Sequence, residues 1–230
     1  MITRSEKKII GGHRGSPKKA RENTIESFEA AIVDGADFIE FDVRRAKDGN
    51  LVIHHDEAIA GIPIKKLKLS EINEISTQIG YEVPVLEDVL RHCVNRIMLD
   101  VEIKEPDITG EAIKQILRYY SPDGFIVTSF YDETLLNLNT YHPKIKKGIL
   151  FDKNSVHDLE KRIMSLKPDF LLPHYSSFNI SVVELCIKFK LRAILWTVNN
   201  ENDMRKFISD PLVAGIISDY PEIAKRIQKV

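Results

Sequence analysis

The feature that most constrains the fold is an alternation, sustained along the chain, between short apolar runs and longer stretches of helical periodicity. Most of the short runs are almost continuously apolar, as expected of β-strands that are covered on both faces. Strands that alternate with helices are typical of a parallel sheet with crossover helices. The eight predicted strands are residues 8–12, 38–43, 97–103, 125–129, 148–151, 170–173, 193–197 and 215–218.

The intervening segments carry apolar residues at three- and four-residue spacing, such as Ile25, Phe28 and Ile32, which predicts the outer helices. Thr24 and Pro221 are suitable residues for the starts of the first and last of them. Barrels of eight strand–helix repeats commonly comprise roughly 200 to 250 residues in one domain. The sequence therefore predicts an α/β fold, a (β/α)8 TIM barrel forming a single domain over residues 1–230.

One stretch, residues 56–82, departs from this alternation. It follows a short extra strand at residues 51–54, which the turn at residues 47–50 predicts to be half of a hairpin. It contains Gly61, Pro63 and a lysine-rich run at residues 65–68. Two interpretations are open: a connecting loop with one helix, or a lid over a site.

Composition excludes several classes of function. Lys and Arg total 33 against 34 Asp and Glu, a net charge of -1 that argues against a nucleic-acid partner. Because no run of about 18 uncharged apolar residues occurs, stable membrane insertion is not expected. The polar N-terminus lacks the apolar stretch of a signal peptide, which favours a cytoplasmic protein. Cys93 and Cys186 are expected to be reduced thiols of the core. The sequence leaves the oligomeric state open.

Residues that can carry chemistry fall after the predicted strands. In a parallel barrel the side chains of the active face come from the carboxyl ends of the strands and the loops that follow them. The residues at these ends are His13, Arg14, Glu40, Asp42, Glu102, Lys104 and Trp196. Such clustering predicts one site at the barrel mouth.

Three carboxylates at these ends predict a cation site. Glu40 and Asp42 are two residues apart and therefore point to the same side of a strand, and Glu102 and Lys104 repeat this spacing. Oxygen ligands without cysteine suit Mg²⁺ or Ca²⁺ better than zinc. Burying three like charges without a cation would cost on the order of several kcal/mol each. For each pair alone, a salt bridge at the mouth is the alternative.

Two histidines provide for proton transfer. Phosphodiester cleavage needs a base for the attacking oxygen and an acid for the leaving alkoxide, and histidine titrates in the right range for both. His13 is one candidate, and His55 is favoured over His54 because Asp56 follows it directly. His174 also lies at a strand end but has no partner, so it is interpreted as structural.

Other residues of the site would bind the substrate. Arg14 and Lys104 would neutralise the non-bridging phosphate oxygens. The glycines around His13 and Arg14 would let an oxyanion approach closely, because they lack side chains. Trp196 either forms an apolar wall for the alcohol or packs in the barrel.

These residues together resemble the glycerophosphodiester phosphodiesterase family, a branch of the phospholipase C-like phosphodiesterase barrels. The resemblance covers nearly the whole chain in family order, and it rests on the ordered set more than on any one motif. The matching segments are residues 12–15, 22–24, 35–37, 40–43, 47–49, 55–56, 85–90, 102–104, 129–130, 196–199 and 216–221.

The resemblance implies a metal-dependent hydrolysis of a small-molecule glycerophosphodiester to sn-glycerol 3-phosphate and an alcohol. It implies attack by the glycerol 2-hydroxyl through a cyclic phosphate, with direct attack by water left open. The implied roles are general acid and base for His13 and His55, phosphate contacts for Arg14 and Lys104, a hydrogen bond to substrate for Asn23, and Mg²⁺ or Ca²⁺ ligands for Glu40, Asp42 and Glu102.

The chain departs from the family pattern in two places. Members commonly continue as His-Asp-x-x-Leu-x-Arg, whereas Gly61 stands here in place of the arginine, and the connection over residues 56–82 is shorter. The contacts to the leaving alcohol are therefore less determined than the reaction. A phospholipase D-like or cyclising enzyme acting on lysophospholipid or sphingomyelin head groups is an alternative, and a non-catalytic binding barrel is another.

Overall fold

Eight parallel strands close into a barrel in the computed structural model, which describes residues 7–154 and 158–229. The polar N-terminal residues 1–6 lie outside the described residues. Each strand pairs with the next along the chain, and the first strand pairs with both the second and the last, which closes the barrel and confirms the predicted fold. The barrel strands are β1 (Ile9–His13), β2 (Phe38–Arg45), β3 (Met98–Ile103), β4 (Phe125–Ser129), β5 (Lys146–Phe151), β6 (Phe170–Pro173), β7 (Arg192–Leu195) and β8 (Val213–Ser218).

Helices cover the outside of this barrel. Thr24 caps the first helix, because its side chain accepts a hydrogen bond from the Ser27 amide, and Pro221 opens the last helix. Both predicted helix starts are confirmed. The helices of the described residues are α1 (Ile25–Val33), α2 (Leu69–Gln78), α3 (Leu86–Cys93), α4 (Thr109–Ile116), α5 (Asp132–Tyr141), α6 (Leu159–Leu166), α7 (Ile180–Phe189), α8 (Glu201–Ser209) and α9 (Pro221–Gln228).

The stretch between β2 and α3 has its own small core. The short strand Leu51–Ile53 pairs antiparallel with the end of β2, as the hairpin prediction required, although it ends one residue earlier than expected. A two-stranded sheet (Ala58–Ile59 with Ile62–Pro63) and α2 follow. Their buried residues pack against the hairpin, which favours a connecting segment over a lid. These residues are Ala46, Val52, Ile59, Ile64, Leu67, Ile72 and Val83.

Apolar side chains fill both the inside of the barrel and the layer between its strands and the helices. Inside the barrel, Phe38, Leu172 and Ile194 belong to one buried cluster. Cys93 and Cys186 are buried and free, as predicted, and burial raises their thiol pKa values to about 12 and about 11. Among the helices of residues 7–154 and 158–229, none has the length and apolar character needed to cross a membrane.

The glycines after β1 serve the packing of the chain on itself. A Cβ at Gly12 would lie 2.3 Å from the Gly15 carbonyl oxygen, and one at Gly15 would lie 2.6 Å from the Ser27 carbonyl oxygen. Gly15 also has a φ of +92°, which favours glycine. The close approach of the β1–α1 turn to itself and to α1 therefore requires these glycines, and close approach of an oxyanion stays a prediction.

We expect Gly12→Ala to lower the free energy of unfolding by about 1–3 kcal/mol, because the added methyl group meets backbone atoms that cannot move aside easily. Gly110→Ala is the matched control, since a Cβ there meets nothing within 4 Å in α4. Alanine should raise stability there by up to about 1 kcal/mol. Urea denaturation measures both, and equal stability of Gly12→Ala and the unsubstituted protein would contradict the packing argument.

Candidate active site

A cavity of about 490 Å³ opens at the carboxyl ends of the barrel strands. Its polar wall comes mainly from β1, β2, β3 and the loops after them, and its apolar wall comes from the later strands. Seven of the nine predicted site residues line it, while Asp42 and Asn23 lie behind the wall. The lining residues are His13, Arg14, Glu40, His55, Asp100, Glu102, Lys104, Thr128, Phe130, Leu150, Trp196 and Ile217.

The carboxylates of Glu40, Asp42 and Glu102 converge behind and along the polar wall. The parallel register pairs Asp42 with Glu102, so that one oxygen from each of the three residues lies within 4.8 Å of the others. All three residues are buried. The Oδ1 atom of Asp42 is ion-paired with Lys104 Nζ at 3.3 Å but accepts no hydrogen bond from the residues that the structure describes. Three buried carboxylates with an unsatisfied oxygen form a donor set that fits a hard divalent cation.

Two cations contact this cluster. The ammonium of Lys104 lies 2.7 Å from a Glu102 oxygen, and the guanidinium Nε of Arg14 lies 3.4 Å from Asp42 Oδ2. The backbone amide of Arg14 donates to Glu40 at 3.0 Å, and its φ of +55° is a conformation that few non-glycine residues adopt. Arg14 Nη1 also donates to Glu22. Both cations therefore adjoin the carboxylates and the cavity at once.

Burial and neighbouring charges shift the pKa values of the three carboxyl groups in different directions. Burial alone would raise the pKa of Asp42, but the charges of Lys104 and Arg14 outweigh burial and lower it to about 2. Burial and the charge of Asp42 raise the pKa of Glu102 to about 7 and hold that of Glu40 well above its usual range. Additional positive charge at the cluster would stabilise the ionised form of both glutamates.

Each cavity histidine is hydrogen-bonded to a carboxylate through one ring nitrogen. His13 Nδ1 is 2.7 Å from Asp219 Oδ1, and His55 Nδ1 is 2.8 Å from Asp56 Oδ1. This leaves Nε2 of each ring for a ligand, because a carboxylate at Nδ1 fixes the tautomer and the orientation. Asn199 donates to the second oxygen of Asp219 at 2.8 Å. Burial lowers the pKa of His55. The structure places His55, and not His54, on the cavity wall.

The apolar wall is built around Trp196. The indole Nε1 donates to the Leu172 carbonyl oxygen at 2.7 Å, and the Phe130 ring packs against the indole edge to face with centroids 5.8 Å apart. Trp196 therefore both packs in the barrel and lines the cavity. His174 stacks edge-on against the same indole and bonds to Ser176, which agrees with a structural histidine.

Asn23 is turned toward Asp42. Its amide nitrogen donates to Asp42 Oδ2 at 2.8 Å, its amide oxygen faces the Asp42 backbone amide at 3.4 Å, and the residue is 4 % exposed. The contact of Asn23 with substrate stays a prediction, since an amide nitrogen that donates once still carries a second N–H. The observed contacts orient a carboxylate of the cluster.

Sequence reasoning missed several residues of the site. Asp219, at the end of β8, could have been found by the rule for strand ends, and Asp100 by extending the two-residue spacing of Glu102 and Lys104 backward. Asp100 is buried, and burial raises its pKa to about 8 against the opposing hydrogen bond from Thr128. Phe130 and Ile217 lie in segments that match the family pattern but were not singled out, and Leu150 gave no signal, because apolar residues at strand ends look like barrel core.

Together the fold and these groups define a class, the (β/α)8-barrel hydrolases of phosphate esters. Residues 13–223 match the glycerophosphoryl diester phosphodiesterase family. A glycerophosphodiester phosphodiesterase of Caldanaerobacter subterraneus subsp. tengcongensis is 33% identical over 236 residues, covering 94% of this chain and 96% of that protein. The chain therefore belongs to the glycerophosphoryl diester phosphodiesterase family. Family membership confirms the prediction of an enzyme over that of a non-catalytic binding barrel.

Solved structures agree with the fold. A glycerophosphodiester phosphodiesterase from Thermotoga maritima superposes with a TM-score of 0.84 at 26% identity, covering 97% of this chain and 100% of that one. A phosphodiesterase from Oleispira antarctica, in complex with the product sn-glycerol-3-phosphate, superposes with a TM-score of 0.85 at 22% identity, covering 96% of this chain and 97% of that one. The second shows likeness of fold alone.

We expect Asn23→Ala to lower the free energy of unfolding by about 1–3 kcal/mol in the presence of EDTA, because it leaves a buried oxygen of Asp42 without its amide donor. Asn202→Ala, at an exposed position of α8, should change stability by less than about 0.5 kcal/mol. Urea denaturation of both variants measures the difference. Equal effects of the two substitutions would show that the Asn23–Asp42 contact carries no special weight.

Proposed function

We propose that this enzyme hydrolyses small-molecule glycerophosphodiesters to sn-glycerol 3-phosphate and an alcohol, with a divalent cation and a pair of histidines. The observation that carries the proposal is the single cavity that joins His13 and His55, each paired with a carboxylate, to the acidic cluster. The names of the family and of the relatives support the substrate class, as does the sn-glycerol-3-phosphate bound to the Oleispira antarctica phosphodiesterase.

His13 and His55 divide the proton transfers between them. One takes the proton of the attacking oxygen, either the glycerol 2-hydroxyl or water, while the other protonates the leaving alkoxide through its free Nε2. Asp219 and Asp56 hold the rings in the tautomer that presents Nε2. Asp219 stabilises an imidazolium better, since its side chain is 17% exposed and that of Asp56 is 75% exposed.

Glu40, Asp42 and Glu102 would hold the cation, Mg²⁺ or Ca²⁺. When bound, it supplies Lewis-acid polarisation of the phosphoryl oxygens. Arg14 and Lys104 bind the remaining phosphate charge, because both line the cavity beside the cluster. Asn23 keeps Asp42 in the orientation that directs its free oxygen to the cation.

The walls around the phosphate site distinguish the two classes of substrate. Trp196 and Phe130 provide an apolar surface for the carbon atoms of a small group. A neighbouring groove that shares Lys104 with the cavity is lined mostly by charged side chains, which disfavours an acyl chain beside the cavity and so favours a water-soluble glycerophosphodiester over a lysophospholipid. Its charged residues are Arg44, Arg45, Lys47, Glu57, Lys65, Lys104, Glu105 and Asp107.

We expect His13→Ala and His55→Ala each to lower kcat on glycerophosphocholine by about 10²- to 10⁴-fold, the usual contribution of a positioned acid or base. His174→Ala is the matched control, since that ring contacts Trp196 but does not line the cavity, and its kcat should stay within about 3-fold. Release of sn-glycerol 3-phosphate measures turnover. Unchanged turnover in both cavity variants would overturn the acid–base assignment.

Two further substrates, compared with glycerophosphocholine by release of choline, the product common to all three, separate the alternatives. Faster turnover of lysophosphatidylcholine than of glycerophosphocholine would overturn the proposed substrate class and support the lysophospholipid reading. A 2-deoxyglycerol analogue of glycerophosphocholine tests the nucleophile: loss of turnover indicates attack by the 2-hydroxyl, and retained turnover indicates direct attack by water.

We expect EDTA to abolish activity, and Mg²⁺ or Ca²⁺ to restore it and to raise Tm. A cation present at 100 times its Kd stabilises the folded state by about 2.7 kcal/mol. Glu102→Gln should remove most of this thermal shift, whereas Glu105→Gln, whose carboxylate lies outside the cluster, should keep it. Thermal unfolding with and without cation measures the effect without relying on activity. A shift of equal size in Glu102→Gln would overturn the proposed ligand set.

A further inference from the structure

Arg44, near the end of β2, is nearly buried and contacts the loop that carries His55. Its side chain is 12% exposed. Its Nε and Nη2 atoms both donate to the carbonyl oxygen of His55, at 3.0 and 2.8 Å. Its Nη1 atom lies 3.6 Å from a carboxylate oxygen of Glu105, which follows Lys104 after β3. One guanidinium thus joins the end of β2, the His55 loop and the loop after β3.

The position of His55 is not fixed by the sheet. The short strand that precedes it ends at Ile53, and the last backbone hydrogen bond toward β2 is from the His54 amide to the Asp42 carbonyl oxygen. The contact from His55 Nδ1 goes to Asp56, whose side chain is 75% exposed and therefore holds the ring weakly. The bonds from Arg44 are a buried anchor at His55 itself, and hydrogen bonds from a charged donor are the stronger kind.

We propose that Arg44 is a positioning residue that holds the His55 loop so that the imidazole faces the cavity. The proposal rests on the proposed function, in which His55 transfers a proton. Arg44 does not touch the substrate: it acts through the main chain of His55. A guanidinium is suited to this role because its planar fork presents two N–H groups to one oxygen while a third nitrogen faces Glu105.

The neighbouring Arg45 provides a matched comparison. It lies on the same strand with a side chain 35% exposed, and its guanidinium pairs with Asp107. No contact joins it to His55 among those described for residues 7–154 and 158–229. Arg45→Ala therefore removes the same charge from the same rim without releasing the His55 loop.

The test is a set of kinetic measurements on glycerophosphocholine with the full chain and its cation. We expect Arg44→Ala to lower kcat about 10- to 100-fold, because a displacement of about 1 Å at a catalytic group can cost about 10²-fold. KM should stay within about 3-fold, Arg44→Lys should retain an intermediate kcat because it keeps one donor, and Arg45→Ala should stay within about 3-fold of the unsubstituted enzyme.

A double substitution separates positioning from general stability. If Arg44 acts through His55, Arg44→Ala should cause no further loss in a His55→Ala background. An additional loss of the same size as in the single variant would overturn the proposal, as would a normal kcat in Arg44→Ala. Should Arg44→Ala fail to fold, Arg44→Lys carries the same comparison: a normal kcat for it, or a loss of the same size in the His55→Ala background as in the single variant, would overturn the proposal.

These variants also distinguish failure of the Arg44 proposal from failure of the proposed acid–base pair. Loss of activity in His55→Ala with normal activity in Arg44→Ala overturns the role of Arg44 alone. Normal activity in His55→Ala overturns the proposed acid–base pair and, with it, the positioning role.

Discussion

The buried acidic cluster contains three carboxylates, Glu40, Asp42 and Glu102, and contacts two cations, Lys104 and Arg14. The rest of the site depends on this inequality of charge. One oxygen from each of three buried carboxylates lies within 4.8 Å of the others, and the pairing of β2 with β3 brings them together. Lys104, Arg14 and the amide of Asn23 each stabilise part of this charge, and each is fixed by doing so. The cluster thus positions its neighbours as well as providing ligands for a cation, because buried carboxylates are stabilised by positive charges and hydrogen-bond donors.

The mouth of the barrel has a charged half, which contains the cluster, and an apolar half. The first three strands and their loops supply the ionised groups, whereas the later strands supply Phe130, Leu150, Trp196 and Ile217. A phosphodiester has the same division, a charged centre with carbon substituents, so the two halves match the chemistry of the family's substrates. The apolar side chains also lower the local dielectric constant around the charged half, which strengthens the electrostatic interactions within it.

The sequence was sufficient for the barrel and for most of the cavity wall. Strands buried on both faces leave apolar runs that periodicity detects, and the spacing of Glu40, Asp42, Glu102 and Lys104 predicts a shared face because strand geometry is regular. Contacts between distant segments were not predictable. The bond from Arg44 to a carbonyl oxygen of the His55 loop depends on loop geometry that no local pattern encodes. The same is true of the glycines after β1, whose purpose appears only when the turn is seen against Ser27.

The hydrogen bond between His13 and Asp219 has a consequence for how the protein forms. The two residues are 206 positions apart, at the ends of β1 and β8, the pair of strands that closes the barrel. A nascent chain that has made β1 still lacks the carboxylate that orients its first histidine, and gains it only when the last strand docks. Closing so long a loop is entropically costly, and contacts of this separation form late in folding. In the proposed mechanism, proton transfer by His13 would therefore require the complete barrel, because a barrel without its last strand lacks the Asp219 carboxylate beside the ring.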